Sequence, residues 1–316
     1  MKKTGLLYDE RYLRHDTGPH HPESPERLTA IYQGIKDAGL LSKLTLIQAS
    51  RADLKWIKTV HSEDYIQRFE AACRAGNTMF DYPDNQMCAE TYDVARLAVG
   101  GILDASRRVV TGELDNAFCA VRPPGHHAEH DRALGFCYFN NVAIAARYLQ
   151  IEWEIKRVAI VDIDAHHGNG IQHIFEKDPT VFYYSIHQHP SFAFPGTGRA
   201  FDIGDGEGEG ATRNYPMFPG KGDEAYLGLM ARDMLPVLGR FNPEVVIVAT
   251  GFDAHVDDDM SDLSLTTEGY SRIMEGIVEL AEQAAGGRLI SILEGGYCLD
   301  RLPELAANHV RILLNA

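Results

Sequence analysis

Val158-Ala-Ile-Val-Asp-Ile-Asp-Ala-His-His-Gly-Asn-Gly170 is the stretch that decides the fold. An apolar, β-branched run ends abruptly in Asp162, Asp164, His166 and His167. Such a run reads as a buried strand, and Gly168-Asn169-Gly170 reads as its exit turn. Alternate residues of a strand share a face. Asp164 and His166 therefore point the same way, with Asp162 on that side one step back. A carboxylate and an imidazole two residues apart at a strand's C-terminal end suit a divalent metal such as zinc. That end of the strands is also where ligands bind in open α/β sheets. The alternative is a polar turn with solvated charges. The density of ligand-type residues directly after an apolar run argues against it.

Runs of the same strand type cover 4–8, 117–121, 158–163, 181–186, 245–250 and 289–293. Helix-like apolar spacing fills 25–38, 64–75, 89–110, 141–153, 223–240, 267–285 and 302–314. Ser24 is a candidate N-cap with Pro25 at the first helical position, and Thr266-Thr-Glu-Gly269 fits a second helix start. Strands alternating with helices predict an α/β fold with a mostly parallel sheet covered by helices on both faces. There is no repeat, low-complexity linker or sharp composition shift, so one catalytic domain is expected over 1–316. Gly204-Asp-Gly-Glu-Gly-Glu-Gly210 lacks the strand–GxGxxG–helix context and carries acidic residues where a phosphate would sit. It reads as a turn.

The net charge of −15 disfavours non-specific nucleic-acid binding and would attract cationic substrates such as lysine-rich tails or polyamines. Solubility is the plainer explanation, and charge alone does not choose. Five scattered cysteines without a CxxC argue against a disulfide framework or thiolate zinc site and suit a reducing cytoplasm. The N-terminus lacks the apolar core of a signal peptide, and no stretch approaches the roughly 18 apolar residues of a membrane span. The lack of long extensions leads us to expect no appended regulatory domain.

Further polar groups follow apolar runs. Arg122-Pro-Pro-Gly-His126-His127 offers two adjacent imidazoles for acid–base work, or two ordinary loop histidines. Gly251-Phe-Asp253 offers a third metal ligand, leaving a coordination position for substrate, or a helix cap. Glu294-Gly-Gly-Tyr297 places a phenol where it can donate to an oxyanion, or a packed aromatic. Ser185-Ile-His187-Gln-His-Pro190 runs on to Phe194-Pro-Gly-Thr-Gly198, and Gly135-Phe136 adds a further aromatic. Phe136 and Phe194 are read as lining a narrow apolar channel, with core packing the rival. Each signal is weak alone. Together they point to a metal hydrolase centre.

These motifs, with His21-Pro-Glu-Ser-Pro-Glu-Arg27 and in this order, resemble the zinc-dependent histone deacetylase family, in particular its class II-like bacterial members. The resemblance spans nearly the whole chain and implies the parallel α/β fold shared with arginases. It places Asp164, His166 and Asp253 on zinc and makes His126 and His127 the acid–base pair. It sets Asp162 behind His126 and Asn169 behind His127. An Asp partner favours imidazolium more than an Asn partner does, so His127 should be the more readily neutral ring. Tyr297 matches the oxyanion-stabilising tyrosine. A structural potassium is implied near Asp162, Asp164, His166, Ser185 and the Ile186 carbonyl, and a second by carbonyls of Phe175, Asp178 and Val181. Gly135, Phe136 and Phe194 match the acyl-lysine tunnel, and Arg27 an arginine behind the metal. Asp84 is the candidate rim aspartate that grips substrate backbone, and Asp81 its rival. Met260 stands where polyamine-selective relatives carry an acidic residue.

The resemblance therefore implies hydrolysis of N-acyl-lysine in proteins or peptides, with an acetylpolyamine amidohydrolase, acting on a small acetylated amine, as the alternative. Met260 speaks against the latter. An arginase-like ureohydrolase with two manganese ions is disfavoured by the Pro-Gly-His-His and Gly-Gly-Tyr segments. A non-catalytic acyl-lysine reader is disfavoured by Tyr297 and both histidines.

Overall fold

The computed structural model describes residues 2–316. Ten strands run in chain order: β1 Thr4–Leu7, β2 Thr45–Ile47, β3 Met79–Phe80, β4 Tyr82–Gln86, β5 Asn116–Cys119, β6 Val158–Asp162, β7 Val181–Gln188, β8 Thr212–Met217, β9 Val245–Thr250 and β10 Leu289–Leu293. Eight of them form one wholly parallel sheet in the order β2-β1-β5-β10-β9-β6-β7-β8. β3 and β4 make a separate antiparallel hairpin. Strands β5, β6, β7, β9 and β10 are buried along their whole lengths, as expected of a parallel sheet with both faces covered by helices.

The α-helices are α1 Pro25–Asp37, α2 Leu54–Ile57, α3 Glu63–Arg74, α4 Thr91–Val110, α5 Asn141–Trp153, α6 Asn169–Phe175, α7 Asp223–Leu229, α8 Leu235–Phe241, α9 Thr267–Ala284 and α10 Leu302–Asn315. Helices α1, α9 and α10 pack as one group and α4 with α5 as another. The chain builds outward from β1 to β2, returns to β5, then jumps to β6 and proceeds outward through β7 and β8. Only then do β9 and β10 fill the middle of the sheet. The strand order switches there, and the C-terminal ends of β5, β6, β9 and β10 open together at that point.

Three local expectations need correction. Gly168-Asn169-Gly170 is no simple exit turn, because Asn169 opens α6. Glycines begin this helix because it lies against the chain after His126. A Cβ on Gly170 would collide with the Ala128 carbonyl, and Ile171 N–H donates to the His126 carbonyl at 3.3 Å. The helix expected over 223–240 is broken by a π-type turn, Met230–Met234, between α7 and α8. Ser24 stands at the N-cap of α1 without a side-chain bond, whereas Thr266 does cap α9 by accepting from Gly269 N–H.

Candidate metal and catalytic site

Beyond the end of β6 the chain turns so that Asp164 and His166 face Asp253, which follows β9. His166 Nδ1 lies 3.2 Å from Asp164 Oδ1 and 3.0 Å from Asp253 Oδ2. All three side chains are buried, and one potential ligand atom from each lies within 4.8 Å of the others. Tetrahedral ligands about 2.0–2.2 Å from zinc stand roughly 3.3–3.6 Å apart, so this donor set fits the ion. Backbone groups aim the carboxylates: Gly295 N–H donates to Asp164 Oδ2 at 2.8 Å, and Ala165 N–H to Asp253 Oδ1 at 2.9 Å. Burial and the Asp164 carboxylate push the Asp253 carboxyl up. Against burial, the His126 and His166 rings hold Asp164 well down.

The two histidines after β5 stack obliquely, ring centroids 4.0 Å apart. His126 Nδ1 lies 3.2 Å from Asp162 Oδ2, and Tyr183 donates its hydroxyl hydrogen to the same oxygen. His127 Nδ1 lies 2.8 Å from Asn169 Oδ1. Burial disfavours charge on both rings. At His126 the Asp164 and Asp162 carboxylates outweigh burial and push the ring up to about 10. At His127 burial is reinforced by the neighbouring His126 and His166 rings, and the pKa falls well below the usual imidazole range. One ring is held charged and its neighbour neutral, a division suited to acid–base chemistry.

Tyr297 lies on the loop after β10, with the Arg27 guanidinium 4.8 Å from its ring centroid. Burial raises its phenol well above 10, so it keeps its proton and can donate. Arg27 is fully buried and committed: it donates to the carbonyls of Gly296 and Glu294, each at 2.6 Å, and to Glu23 Oε1 at 2.9 Å. It therefore supports the Gly-Gly-Tyr loop from beneath. Phe194 meets His127 edge-on at 5.0 Å, and Phe136 meets Tyr297 edge-on at 6.0 Å. Gly135 and Phe136 both have positive φ, 56° and 68°. A Cβ on Gly135 would strike the His127 ring, so only glycine fits there. Asp162 and Ser185 are register partners toward the C-terminal ends of neighbouring strands.

A family model described as histone deacetylase domain matches residues 21–313. The chain belongs to the histone deacetylase family. It is 38% identical over 299 residues to a probable deacetylase of Archaeoglobus fulgidus, covering 94% of this chain and 82% of that one. It is 36% identical to the histone deacetylase-like amidohydrolase of Pseudomonas aeruginosa, covering 96% and 83%. Histone deacetylase 5 of Arabidopsis thaliana is 37% identical over 99% of this chain, which spans only 49% of that protein. Among solved structures, the HDA15 HD domain superposes with a TM-score of 0.94 at 35% identity, covering 99% of this chain and 88% of that one. This histone deacetylase family member is thus a hydrolase of the deacetylase or amidohydrolase type, and its family is generally zinc-dependent. The parallel α/β architecture read from the sequence is the family's own.

Of the rim candidates, Asp81 is occupied: its carboxylate pairs with Arg68 at 3.0 Å and accepts from Ala133 N–H at 2.9 Å. The Asp84 side chain makes no hydrogen bond among the described residues, while its neighbour Asn85 accepts from Phe136 N–H at 2.7 Å. Met260 is half-buried, its N–H bonded to Asp258 Oδ1. Several contributors escaped the sequence reading. Asp258 Oδ2 accepts from the N–H groups of Tyr297 and Cys298 at 2.6 and 2.9 Å. Glu294 Oε2 accepts from Gly125 and His126 N–H at 2.6 and 3.0 Å. Glu23 anchors both Arg27 and Arg122. Lone carboxylates in loops carry no periodic signal, and only the Glu-Gly-Gly-Tyr context hinted at Glu294. Among the described residues no helix is long and apolar enough to cross a membrane.

Proposed function

We propose that this chain, as one catalytic domain, hydrolyses the amide bond of N-acyl-lysine in proteins or peptides. The observation that carries this reading is geometric: His126 faces Asp162 and His127 faces Asn169, the two rings stacked beside the Asp164, His166 and Asp253 cluster. Those three residues would hold zinc, which when bound polarises the amide carbonyl and acidifies the attacking water. His127, with hydrogen on Nδ1 facing Asn169, presents Nε2 as the proton acceptor. The proton it takes is then available to the departing lysine amine. His126, kept cationic by Asp162, supplies positive charge against the developing oxyanion, and Tyr297 donates its phenolic hydrogen to the same oxygen. Gly135, Phe136 and Phe194 would flank the aliphatic lysine stem, and Asp84 would accept substrate backbone N–H at the rim. Potassium would be held by Asp162, Asp164, His166, Ser185 and Ile186, and a second ion by carbonyls of Phe175, Asp178 and Val181.

The zinc-loaded protein should release acetate from an acetyl-lysine peptide with a kcat/KM well above that for acetylputrescine. No release from a series of acyl peptides would sink the reading. One observation favours the polyamine alternative: Asp257, Asp258 and Asp259 directly precede Met260, and the exposed Asp259 could attract a small cation. Preference for acetylputrescine would establish it. The second group of potential ligands, His126, Cys137 and Glu294, includes a buried thiol and is ill suited to a manganese pair.

A further inference from the structure

Behind Asn169 a second buried carboxylate continues the line that starts at His127. Asn169 Nδ2 donates to Glu129 Oε1 at 2.5 Å and to the His127 carbonyl at 3.2 Å. The two Glu129 oxygens face His173 Nδ1 at 2.8 and 3.0 Å. His173 is on α6, four residues after Asn169 and hence on the same face, and its side chain is exposed. Glu129 itself is buried, with its backbone carbonyl accepting from His61 Nδ1 at 2.8 Å and its N–H donating to the Arg132 carbonyl at 2.9 Å. The line His127–Asn169–Glu129–His173 thus runs from a buried ring to an exposed one over fixed backbone.

This arrangement admits only one orientation of the Asn169 amide. Its NH2 group faces two acceptors, a carboxylate and a carbonyl, so its oxygen must face His127. An oxygen in front of Nδ1 requires that nitrogen to carry the hydrogen, leaving Nε2 with its lone pair. Flipping the amide would set oxygen against both acceptors, and the ring would meet the NH2 only by moving its own hydrogen to Nε2. Buried polar groups left unpaired in this way cost about 1–3 kcal/mol each.

We infer that Glu129 is a positioning residue for the proton acceptor: it locks the amide of Asn169 and, through it, the tautomer of His127. It also dictates the residue type at 169. An aspartate there would place a second carboxylate against Glu129 and the His127 carbonyl, with no hydrogen between them. The inference rests on the reading of His127 given above.

The test is a cycle of Asn169→Asp, Glu129→Gln and the double variant, all zinc-loaded. A glutamine at 129 can donate to an aspartate at 169 while its oxygen still accepts from His173. With acetyl-lysine peptide, Asn169→Asp alone should lower kcat about 10- to 100-fold with little change in KM. Adding Glu129→Gln should restore about five-fold or more of that loss. Equal losses from Asn169→Asp in both backgrounds would overturn the inference. Thermal melting of each variant separates this from simple damage, since a structural lesion lowers melting and is not relieved by a second substitution. Ring-nitrogen NMR of His127 gives a readout that needs no substrate. It should show an Nδ1–H ring in the wild type and a mixture in Glu129→Ala. An unchanged Nδ1–H ring in Glu129→Ala would overturn the inference even if the wild type proved idle on every acyl peptide, a result that would count against the proposed function instead.

Discussion

In the proposed reaction Tyr297 is a reacting group and Asp258 its support. On the proposed mechanism the phenol donates only to charge that develops during reaction, so Tyr297→Phe should cost about 10²–10³ in kcat and leave KM nearly unchanged. Asp258 touches only the N–H groups of Tyr297, Cys298 and Met260. Asp258→Asn keeps one acceptor oxygen and should cost about ten-fold, less than loss of the phenol itself. Steady-state kinetics on an acetyl-lysine peptide checks both, and a Tyr297→Phe enzyme with wild-type kcat would remove the tyrosine from the chemistry. The same contrast shows what the chain made legible. His126, Asp164, His166, Asp253 and Tyr297 announce themselves because each breaks out of an apolar run. Asp258 and Glu129 do not, because their partners are backbone N–H groups or residues distant in sequence, and Glu23 pairs both with its neighbour Arg27 and with Arg122 ninety-nine residues on.

At the scale of elements, strands were readable in proportion to their burial. β6, β9 and β10 are continuous apolar runs whose bounds the sequence marks to within a residue. β2 has three residues, mostly exposed, and β8 reads Thr-Arg-Asn-Tyr-Pro-Met. Both are edge strands, where short length, charge and proline discourage further pairing, so the features that protect them also hide them. The hairpin β3–β4 escaped for the same reason, with Pro83 and Asp84 in its second strand. The turn after β10 is more demanding. A Cβ on Gly295 would lie 2.6 Å from Asp164 Oδ2 and closer still to Asp253. Gly295→Ala should therefore spread the two carboxylates and strip the purified protein of zinc. Metal analysis reads this directly, and full zinc occupancy in that variant would show that the carboxylates are not the ion's holders.

Across the whole molecule, charge and buried rings set the response to solution conditions. With a net charge of −15, kcat/KM for lysine-rich peptides should fall as salt is raised from low ionic strength, while that for a neutral peptide holds steady. His61, His187 and His309 are buried and neutral, pushed by burial from 6.5 to about 3, 4 and 3. Below pH 6.5 the unfolded chain binds protons that the folded one does not, so each ring costs stability as pH falls toward 4. The Glu294 carboxyl, raised by burial to about 7, works in the opposite sense and offsets part of this. His309 is bonded to Ser291 Oγ and makes no direct contact with Asp164, His166 or Asp253, so it reports the effect. The unfolding free energy of wild type should fall by about 2 kcal/mol relative to that of His309→Leu between pH 7 and pH 5. A constant gap in denaturant melts would show that the ring titrates normally.

The late arrival of β9 and β10 in the centre of the sheet has a consequence for biosynthesis. Until residues beyond 244 emerge from the ribosome, β5 and β6 have no neighbour on their inward sides. The nascent chain is then two half-sheets with bare apolar margins, each able to pair with the wrong strand or with another copy. The last quarter of translation closes this gap and brings Asp253 to Asp164 and His166, the proposed metal ligands, in the same event. A chain stopped at residue 244 should accumulate in inclusion bodies or on chaperones rather than as a trimmed, inert domain.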